Sequence, residues 1–219
     1  MYGNSNFYIF LGQISAVSTL IPFVTAFIRK NNLSKELKIL WFLIICSIIT
    51  EIAGLILAFV YIVNNAHIFN IYVIIETLLI SSFYYFVIQN RIWKLICIFL
   101  AIMFSVFAII QLFLNPVKTL NNLTLTTESL MVIIFSVITF HYLIKYPKYK
   151  NILSTPIFWI NSAFLLYFSG NLFLHLFSHF LTEYAQKAFL ELWGFHSVFN
   201  IIFYTLISIG FWKTKTSQI

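Results

Sequence analysis

Charged residues are scarce in this sequence, and aspartate does not occur in it. Charged side chains make up 9% of the 219 residues, whereas in an ordinary soluble domain the share is about one quarter. Hydrophobic residues make up 61%, and the mean hydropathy is +0.95. The composition therefore excludes a soluble globular protein and indicates an integral membrane protein.

Other features of the sequence exclude further classes. The two cysteines, Cys46 and Cys97, lie inside apolar runs without the spacing of metal ligands, so they are predicted to be small buried side chains. No cationic stretch precedes the first apolar run, which argues against a cleavable signal peptide and predicts that this run is retained as a helix. The net charge of +7 comes from short breaks between apolar runs, so no nucleic acid is expected as a partner.

Long continuous apolar runs predict an all-α, polytopic membrane protein that forms one bundle over residues 1–219. Each run is long enough to cross a hydrocarbon core roughly 30 Å thick, and none shows the alternation of a membrane β-barrel. Breaks in hydropathy predict seven transmembrane helices, near 7–28, 39–63, 67–88, 92–114, 123–144, 156–182 and 188–212.

The distribution of basic residues predicts the orientation. Eleven of the 13 lysines and arginines follow the first, third, fifth and seventh spans, and only Lys118 and Lys187 occupy the alternate breaks. Because positively charged loops are retained in the cytoplasm, the amino terminus is expected outside and the carboxyl terminus inside. The predicted location is the cell (inner) membrane, with the lipid bilayer as the first partner.

Six acidic residues occur, all of them glutamates, and three lie within spans. Glu51, Glu76 and Glu128 fall in the second, third and fifth spans, and Glu191 lies in the first turn of the seventh. An ionised side chain at the centre of the bilayer costs roughly 2.5–3.5 kcal/mol even on the lenient insertion scale. These glutamates are therefore expected to face the interior of the bundle.

Polar side chains at four-residue spacing form stripes on the last two spans. Asn171, His175 and His179 share one face of the sixth span, and His196, Asn200 and Tyr204 share one face of the seventh. The assigned depths bring both stripes to the level of the in-span glutamates. The predicted lining of an outward-facing polar cavity is Glu51, Tyr72, Glu76, Glu128, Asn171, His175, His196 and Asn200. The alternative is that these groups only join helices through hydrogen bonds.

No catalytic residue, metal site or cofactor is predicted. Glutamate and histidine suit zinc or iron, so such a metal is the alternative, but no HExxH motif and no set of three ligands stands out. Retinal on a Schiff base is excluded: microbial rhodopsins carry a lysine in the middle of the last helix, and this sequence has Asn200 and Tyr204 at that level.

Three segments carry a resemblance to a known family: "NIYVIIETLLISSFYYF" at 70–86, "FWINSAFLLYFSGNLFL" at 158–174 and "LWGFHSVFNIIFYTLISIGFWK" at 192–213. They resemble small, uncharacterised seven-helix integral membrane proteins common in Bacteroidota, which are associated with genes for two-component regulators. The resemblance covers most of the chain and implies a role near signalling, without a chemistry. The matching positions are Glu76, Trp159, Asn161, Gly170, Asn171, Trp193, His196 and Asn200.

The leading hypothesis is a sensory or receptor-like membrane module. Its cavity would bind a small ligand or a proton, and a signalling or membrane protein partner would read the change through the cytoplasmic loops. Two alternatives stay open: an intramembrane enzyme acting on a lipid or isoprenoid, with a glutamate and His196 as acid and base, or a small proton-coupled transporter that uses Glu51 and Glu76 as a relay. The remaining hypothesis is a subunit with a purely structural role.

Overall fold

A computed structural model describes residues 3–62, 64–114, 120–145, 151–184 and 186–214. Throughout this described part the regular structure is helical, and no strand occurs. The helices are α1 (Gly3–Ser18), α2 (Leu20–Ile28), α3 (Lys35–Phe59), α4 (Ala66–Val87), α5 (Arg91–Leu114), α6 (Asn122–Lys145), α7 (Pro156–Tyr184) and α8 (Gln186–Trp212).

Seven stretches of these helices are long and apolar enough to cross a membrane, which confirms the predicted number of spans and the all-helical class. They are Phe10–Ile28, Lys35–Ala58, Ala66–Val87, Arg91–Leu114, Asn122–Lys145, Pro156–Leu176 and Gly194–Trp212. Helices satisfy their own backbone hydrogen bonds, as the hydrocarbon core demands of any spanning segment. The chain is therefore a multi-pass membrane protein.

The first span is divided between two helices. α1 ends at Ser18, and α2 begins after a turn at Thr19. Pro22 has no N–H to offer the carbonyl of Ser18, and its ring crowds that carbonyl, so a regular helix cannot pass this point. The Ser18 hydroxyl donates to the carbonyl of Ser15 at 2.6 Å. The predicted span near 7–28 is confirmed as the candidate membrane span Phe10–Ile28. The division at Thr19 was not predicted, because hydropathy registers span length and not helix continuity.

Polar residues mark several helix starts. Asn90 Oδ1 accepts a hydrogen bond from the backbone N–H of Ile92 at 2.9 Å, and Asn121 Oδ1 accepts one from Thr124 N at 3.2 Å. Such side-chain acceptors satisfy N–H groups that have no partner within the helix. Pro156 occupies the first position of α7, where its missing N–H costs nothing.

The spans follow one another around the bundle, and the first and last meet. α1 and α2 pack on α8, α2 on α3, α3 on α4, α4 on α5 and α6, and α6 on α7. α7 forms the largest interfaces, with α8 and α6. We call the side on which α1, α4, α6 and α8 begin the amino-terminal face, and the opposite side the carboxyl-terminal face.

Cations at the carboxyl-terminal face lie over aromatic rings. The guanidinium carbon of Arg29 is 4.5 Å from the ring centroid of Trp212, and the ammonium nitrogen of Lys94 is 4.9 Å from that of Tyr85. Aromatic rings attract cations through their quadrupole, and both residue types concentrate where a membrane meets water. This face therefore has the composition of a membrane interface.

Candidate functional site

Polar side chains from five helices meet in the interior, in the half of the bundle nearer the amino-terminal face. We call them the internal polar cluster. Its members are Ser47 and Glu51 on α3, Tyr72, Glu76 and Thr77 on α4, Glu128 on α6, Tyr167, Asn171 and His175 on α7, and His196, Asn200 and Tyr204 on α8.

Two glutamates approach each other at the α4–α6 interface. Thr77 Oγ1 donates a hydrogen bond of 2.6 Å to Glu128 Oε1, and both residues are buried. The Glu76 carboxyl group is close enough to Glu128 for an electrostatic interaction. No hydrogen bond between described residues involves the Glu76 carboxyl group. Glu128 therefore has a fixed protein partner, whereas Glu76 is available for another.

Hydroxyl groups connect α3 with α8 and α4. Ser47 Oγ lies 3.1 Å from Tyr204 Oη, and the Ser47 and Tyr72 side chains are also within hydrogen-bonding reach. Both tyrosines are close enough to Glu76 to interact with it electrostatically. Glu51 lies one turn after Ser47 and is close enough to Tyr204 for an electrostatic interaction. Through these contacts, side chains of α3, α4 and α8 lie close to Glu76.

A defined hydrogen-bond chain crosses from α7 to α8. Asn171 Nδ2 donates to the backbone carbonyl of Tyr167 at 3.0 Å, which leaves Asn171 Oδ1 as the acceptor toward His196 Nδ1 at 2.7 Å. Since an amide oxygen accepts only, Nδ1 must carry the proton. In the neutral ring Nε2 is then the acceptor nitrogen. The predicted stripes on the two helices thus meet through Asn171 and His196.

Tyr167 and His196 keep accessible surface although completely buried residues lie on the same sides of α7 and α8. On α7, Ala163 and Phe164 are completely buried, yet Tyr167, one turn further along, is only half-buried. On α8, Ile207 is completely buried, yet His196, three turns earlier on the same side, is half-buried. Both residues contact other members of the cluster, since Tyr167 is close enough to Glu76 for an electrostatic interaction and His196 Nδ1 lies 2.7 Å from Asn171 Oδ1.

Glu76 shows the same pattern on α4. Phe83, two turns further along the same side of the helix, has no accessible surface, whereas Glu76 is half-buried. Glu76 also interacts electrostatically with Tyr167. Glu76, Tyr167 and His196 are therefore three incompletely covered polar groups on three helices, with Tyr167 next to both of the others.

Asn200 is a buried residue whose side chain has no hydrogen-bond partner among the described residues. It is 8% exposed, and no hydrogen bond between described residues involves its carboxamide. A buried amide that lacks a partner costs free energy. Asn200 lies one turn after His196 and one turn before Tyr204, on the same side of α8.

Between the cluster and the carboxyl-terminal face, buried side chains pack in the interior of the bundle. Tyr84 Oη lies 2.7 Å from Ser136 Oγ and donates to Asn161 Oδ1 at 2.9 Å, and Asn161 Nδ2 donates to the carbonyl of Ser136 at 2.9 Å. Phe83 and Phe164 are completely buried beside this group, with ring centroids 5.6 Å apart. These side chains satisfy one another, so they form a packed floor.

The cluster as defined includes the eight residues predicted to line a cavity, and their role as a lining stays a prediction. Of the other predicted polar positions, the side chains of His179 and Glu183 lie outside the described residues, and Glu191 is exposed. The sequence reasoning missed Ser47, Thr77 and Tyr167. A signal existed for two of them, because Ser47 lies four residues before Glu51, and Tyr167 four before Asn171.

The cluster contains carboxyl groups, imidazoles, hydroxyls and amides, which can bind and release protons and hydrogen-bond a polar ligand. Where the structure describes side chains, no three histidines, cysteines or acidic residues lie close enough together to hold a metal ion. Its aromatic members add rings on which a ligand can pack: Tyr167 lies 4.7 Å from Phe203 and 6.1 Å from the His196 ring, between centroids.

No protein-family model, no curated protein and no solved structure matches this chain. The assignment of function therefore depends on the geometry of the cluster.

Proposed function

We propose that the protein is a receptor-like membrane module whose internal polar cluster binds a small ligand or a proton. The observation that carries this proposal is the incomplete burial of Glu76, Tyr167 and His196, three neighbouring polar groups of the cluster. We infer that they border an internal space. A cluster that served only to join helices would satisfy and cover its polar groups, as the Tyr84 group does.

The packed floor favours a receptor over a transporter. A transported solute needs a path through the bundle, whereas the hydrogen-bonded Tyr84, Ser136 and Asn161 fill the interior between the cluster and the carboxyl-terminal face. Binding in the cluster would instead act on the helices themselves. α8 is the best placed to transmit the change, because it carries His196 and Tyr204 and ends at Trp212, which contacts Arg29.

The proposed orientation places the amino-terminal face outside and the carboxyl-terminal face in the cytoplasm. The cations over aromatic rings at Arg29 and Lys94 support it, since positively charged segments are retained on the cytoplasmic side. In the inner membrane the cluster would then sample ligands or pH from outside, and a partner protein would contact the basic loops. The resemblance to the Bacteroidota family agrees with a role in signalling.

Electron paramagnetic resonance distances test whether the cluster controls the carboxyl-terminal face. Spin labels would be attached at Lys94→Cys and Lys213→Cys after Cys46→Ser and Cys97→Ala remove the native thiols. Lowering the pH from about 8 to about 5, the range in which histidine and shifted carboxyl groups titrate, is expected to change the distance distribution. Glu76→Gln, which imitates a protonated carboxyl, should hold the low-pH distribution at both values.

The matched control is Glu36→Gln, because Glu36 lies in the first turn of α3 at the carboxyl-terminal face. This variant should respond to pH as the unmodified protein does. One distribution common to all three proteins at both pH values would contradict the proposal.

A further inference from the structure

Two lysines lie over adjacent aromatic rings at the carboxyl-terminal end of α4. The ammonium nitrogen of Lys35, in the first turn of α3, is 5.3 Å from the ring centroid of Phe86. That of Lys94, in the first turn of α5, is 4.9 Å from the ring centroid of Tyr85. The two rings contact each other edge to face, with centroids 5.2 Å apart. Three helices therefore hold two ammonium groups over one pair of rings at the carboxyl-terminal face.

No carboxylate neutralises these two cations in the part of the chain that the structure describes. Neither Lys35 nor Lys94 forms an ion pair there. Glu36 is the acidic residue of the first turn of α3, and its Oε1 accepts a hydrogen bond of 2.6 Å from the Ser34 hydroxyl. The rings under the lysines attract a cation through their quadrupole but carry no net charge. The complement of this pair is therefore an anion.

An exposed apolar stripe on α4 continues from the two rings along the span. Ile71, Ile75 and Leu78 are 50%, 42% and 45% exposed, and their spacings of four and three residues place them on one side of the helix together with Phe86. Ile80, on the opposite side, is completely buried. Within the described helices, α3 and α5 each pack on α4 and form no extensive interface with each other. The stripe therefore stays open between them.

We propose that this surface is a binding site for an anionic phospholipid, whose phosphate is bound by Lys35 and Lys94 and whose acyl chains lie along the stripe of α4. Ammonium groups bind phosphate oxygens through charge-assisted hydrogen bonds, and anionic headgroups bind at basic sites between the ends of transmembrane helices. A phospholipid carries its charge at the membrane surface and its apolar chains below it, which is the order of the lysines and the stripe.

The rings have a positioning role in this proposal. A lysine side chain has many rotamers, and ordering it on a ligand costs free energy. Tyr85 and Phe86 attract the two ammonium groups to the end of α4 before a lipid arrives, which lowers that cost. A zwitterionic phospholipid has the same acyl chains, but its own ammonium group offsets the phosphate charge. The site should therefore prefer an anionic phospholipid.

Native mass spectrometry of the full chain in detergent tests the proposal with dioleoyl phosphatidylglycerol, dioleoyl phosphatidylcholine and glycerol 3-phosphate as probes. Phosphatidylglycerol should bind saturably, at least about fivefold more tightly than phosphatidylcholine, and glycerol 3-phosphate should not bind. The double variant Lys35→Gln/Lys94→Gln should raise the Kd of phosphatidylglycerol at least about tenfold. The matched control Lys30→Gln/Lys213→Gln removes two exposed cations from the same face and should leave this Kd unchanged.

Tyr85→Leu/Phe86→Leu is a second variant, which keeps both lysines, removes their rings and should raise the Kd about threefold. It decides the test if the lysine variant does not fold.

Equal binding of the two phospholipids would overturn the proposal, and so would binding of glycerol 3-phosphate as tight as that of the lipid. An equal rise in Kd in the two lysine double variants would attribute the effect to the charge of the whole face and would also overturn it, as would an unchanged Kd in the Lys35/Lys94 and ring variants. The site is separate from the internal polar cluster, so the lipid titrations and the distance measurements with pH can fail independently.

Discussion

His196 Nδ1 lies 2.7 Å from Asn171 Oδ1 and joins α7 to α8 at the level of the internal polar cluster. The second hydrogen bond of Asn171, to the carbonyl of Tyr167, fixes which amide atom faces the histidine. This pair determines the tautomer of His196 and thereby the hydrogen-bond polarity of the internal space.

We therefore predict that neutral His196 carries its proton on Nδ1. Nitrogen-15 solid-state NMR of protein labelled at histidine distinguishes a protonated Nδ1 from a protonated Nε2. The variant His196→Gln assigns the signal of this residue. In Asn171→Leu the preference for Nδ1–H should weaken, because the acceptor that selects it is gone. A ring protonated on Nε2 in the unmodified protein would contradict this assignment.

The packed floor predicts a stability cost at Tyr84. Tyr84→Phe removes the hydroxyl that contacts Ser136 and Asn161, and it should lower the free energy of unfolding by about 1–2 kcal/mol, as expected for interhelical hydrogen bonds in a membrane. Tyr85→Phe is the matched control, since Tyr85 is only half-buried next in the chain. Equal stability of the two variants in a denaturation series would refute the structural role.

Close packing of α7 on α8 depends on Gly170. A methyl group added there would lie 2.5 Å from ring atoms of Phe199, so Gly170→Ala should destabilise the protein by about 1–3 kcal/mol through overpacking. Adding Phe199→Leu should recover part of the loss. Gly12→Ala is the control, because its added methyl meets nothing nearer than Ser197 Oγ at 4.0 Å; if thermal unfolding ranked the two glycine variants alike, the packing argument would fail.

The turn between α3 and α4 holds Ile62 in a left-handed conformation, with φ of 54°, and its side chain is 88% exposed. A β-branched residue is strained there, at about 1–2 kcal/mol, and glycine is not. Ile62→Gly should therefore raise the free energy of unfolding by about 1 kcal/mol. Ile62→Ala, which keeps the Cβ, should not; a gain of the same size in both variants would point to the loss of the apolar side chain instead.

The sequence was sufficient for the spans because hydrocarbon imposes length and composition on each of them. It also predicted that the stripes containing Asn171 and His196 lie at the same level. Polar residues repeated every four positions on an otherwise apolar helix are expected to face the interior of the bundle. It could not supply partners such as Ser47 and Thr77, because serine and threonine commonly bond to their own helix and carry no signal of an interhelical role.

Two further features depend on three-dimensional packing. Tyr84 stands in an aromatic run, and only the neighbouring helices reveal that its hydroxyl meets Ser136 and Asn161. Pro22 is a sequence signal for the interruption at Thr19, but the hydropathy of an apolar span is the same whether its helix is continuous or divided.

The central claim is that Glu76 faces an internal space reached from the amino-terminal face. Thiol accessibility tests it with Glu76→Cys in protein with Cys46→Ser and Cys97→Ala. Thr77→Cys is the matched control, because Thr77 lies at the same depth, has a side chain of similar size and is completely buried. A small, membrane-impermeant, positively charged thiosulfonate would be added to either side of oriented proteoliposomes.

Glu76→Cys is expected to react at least about tenfold faster than Thr77→Cys, and only when the reagent is added at the amino-terminal face. Equal rates at the two positions, or reaction of Glu76→Cys only from the carboxyl-terminal face, would contradict the internal space.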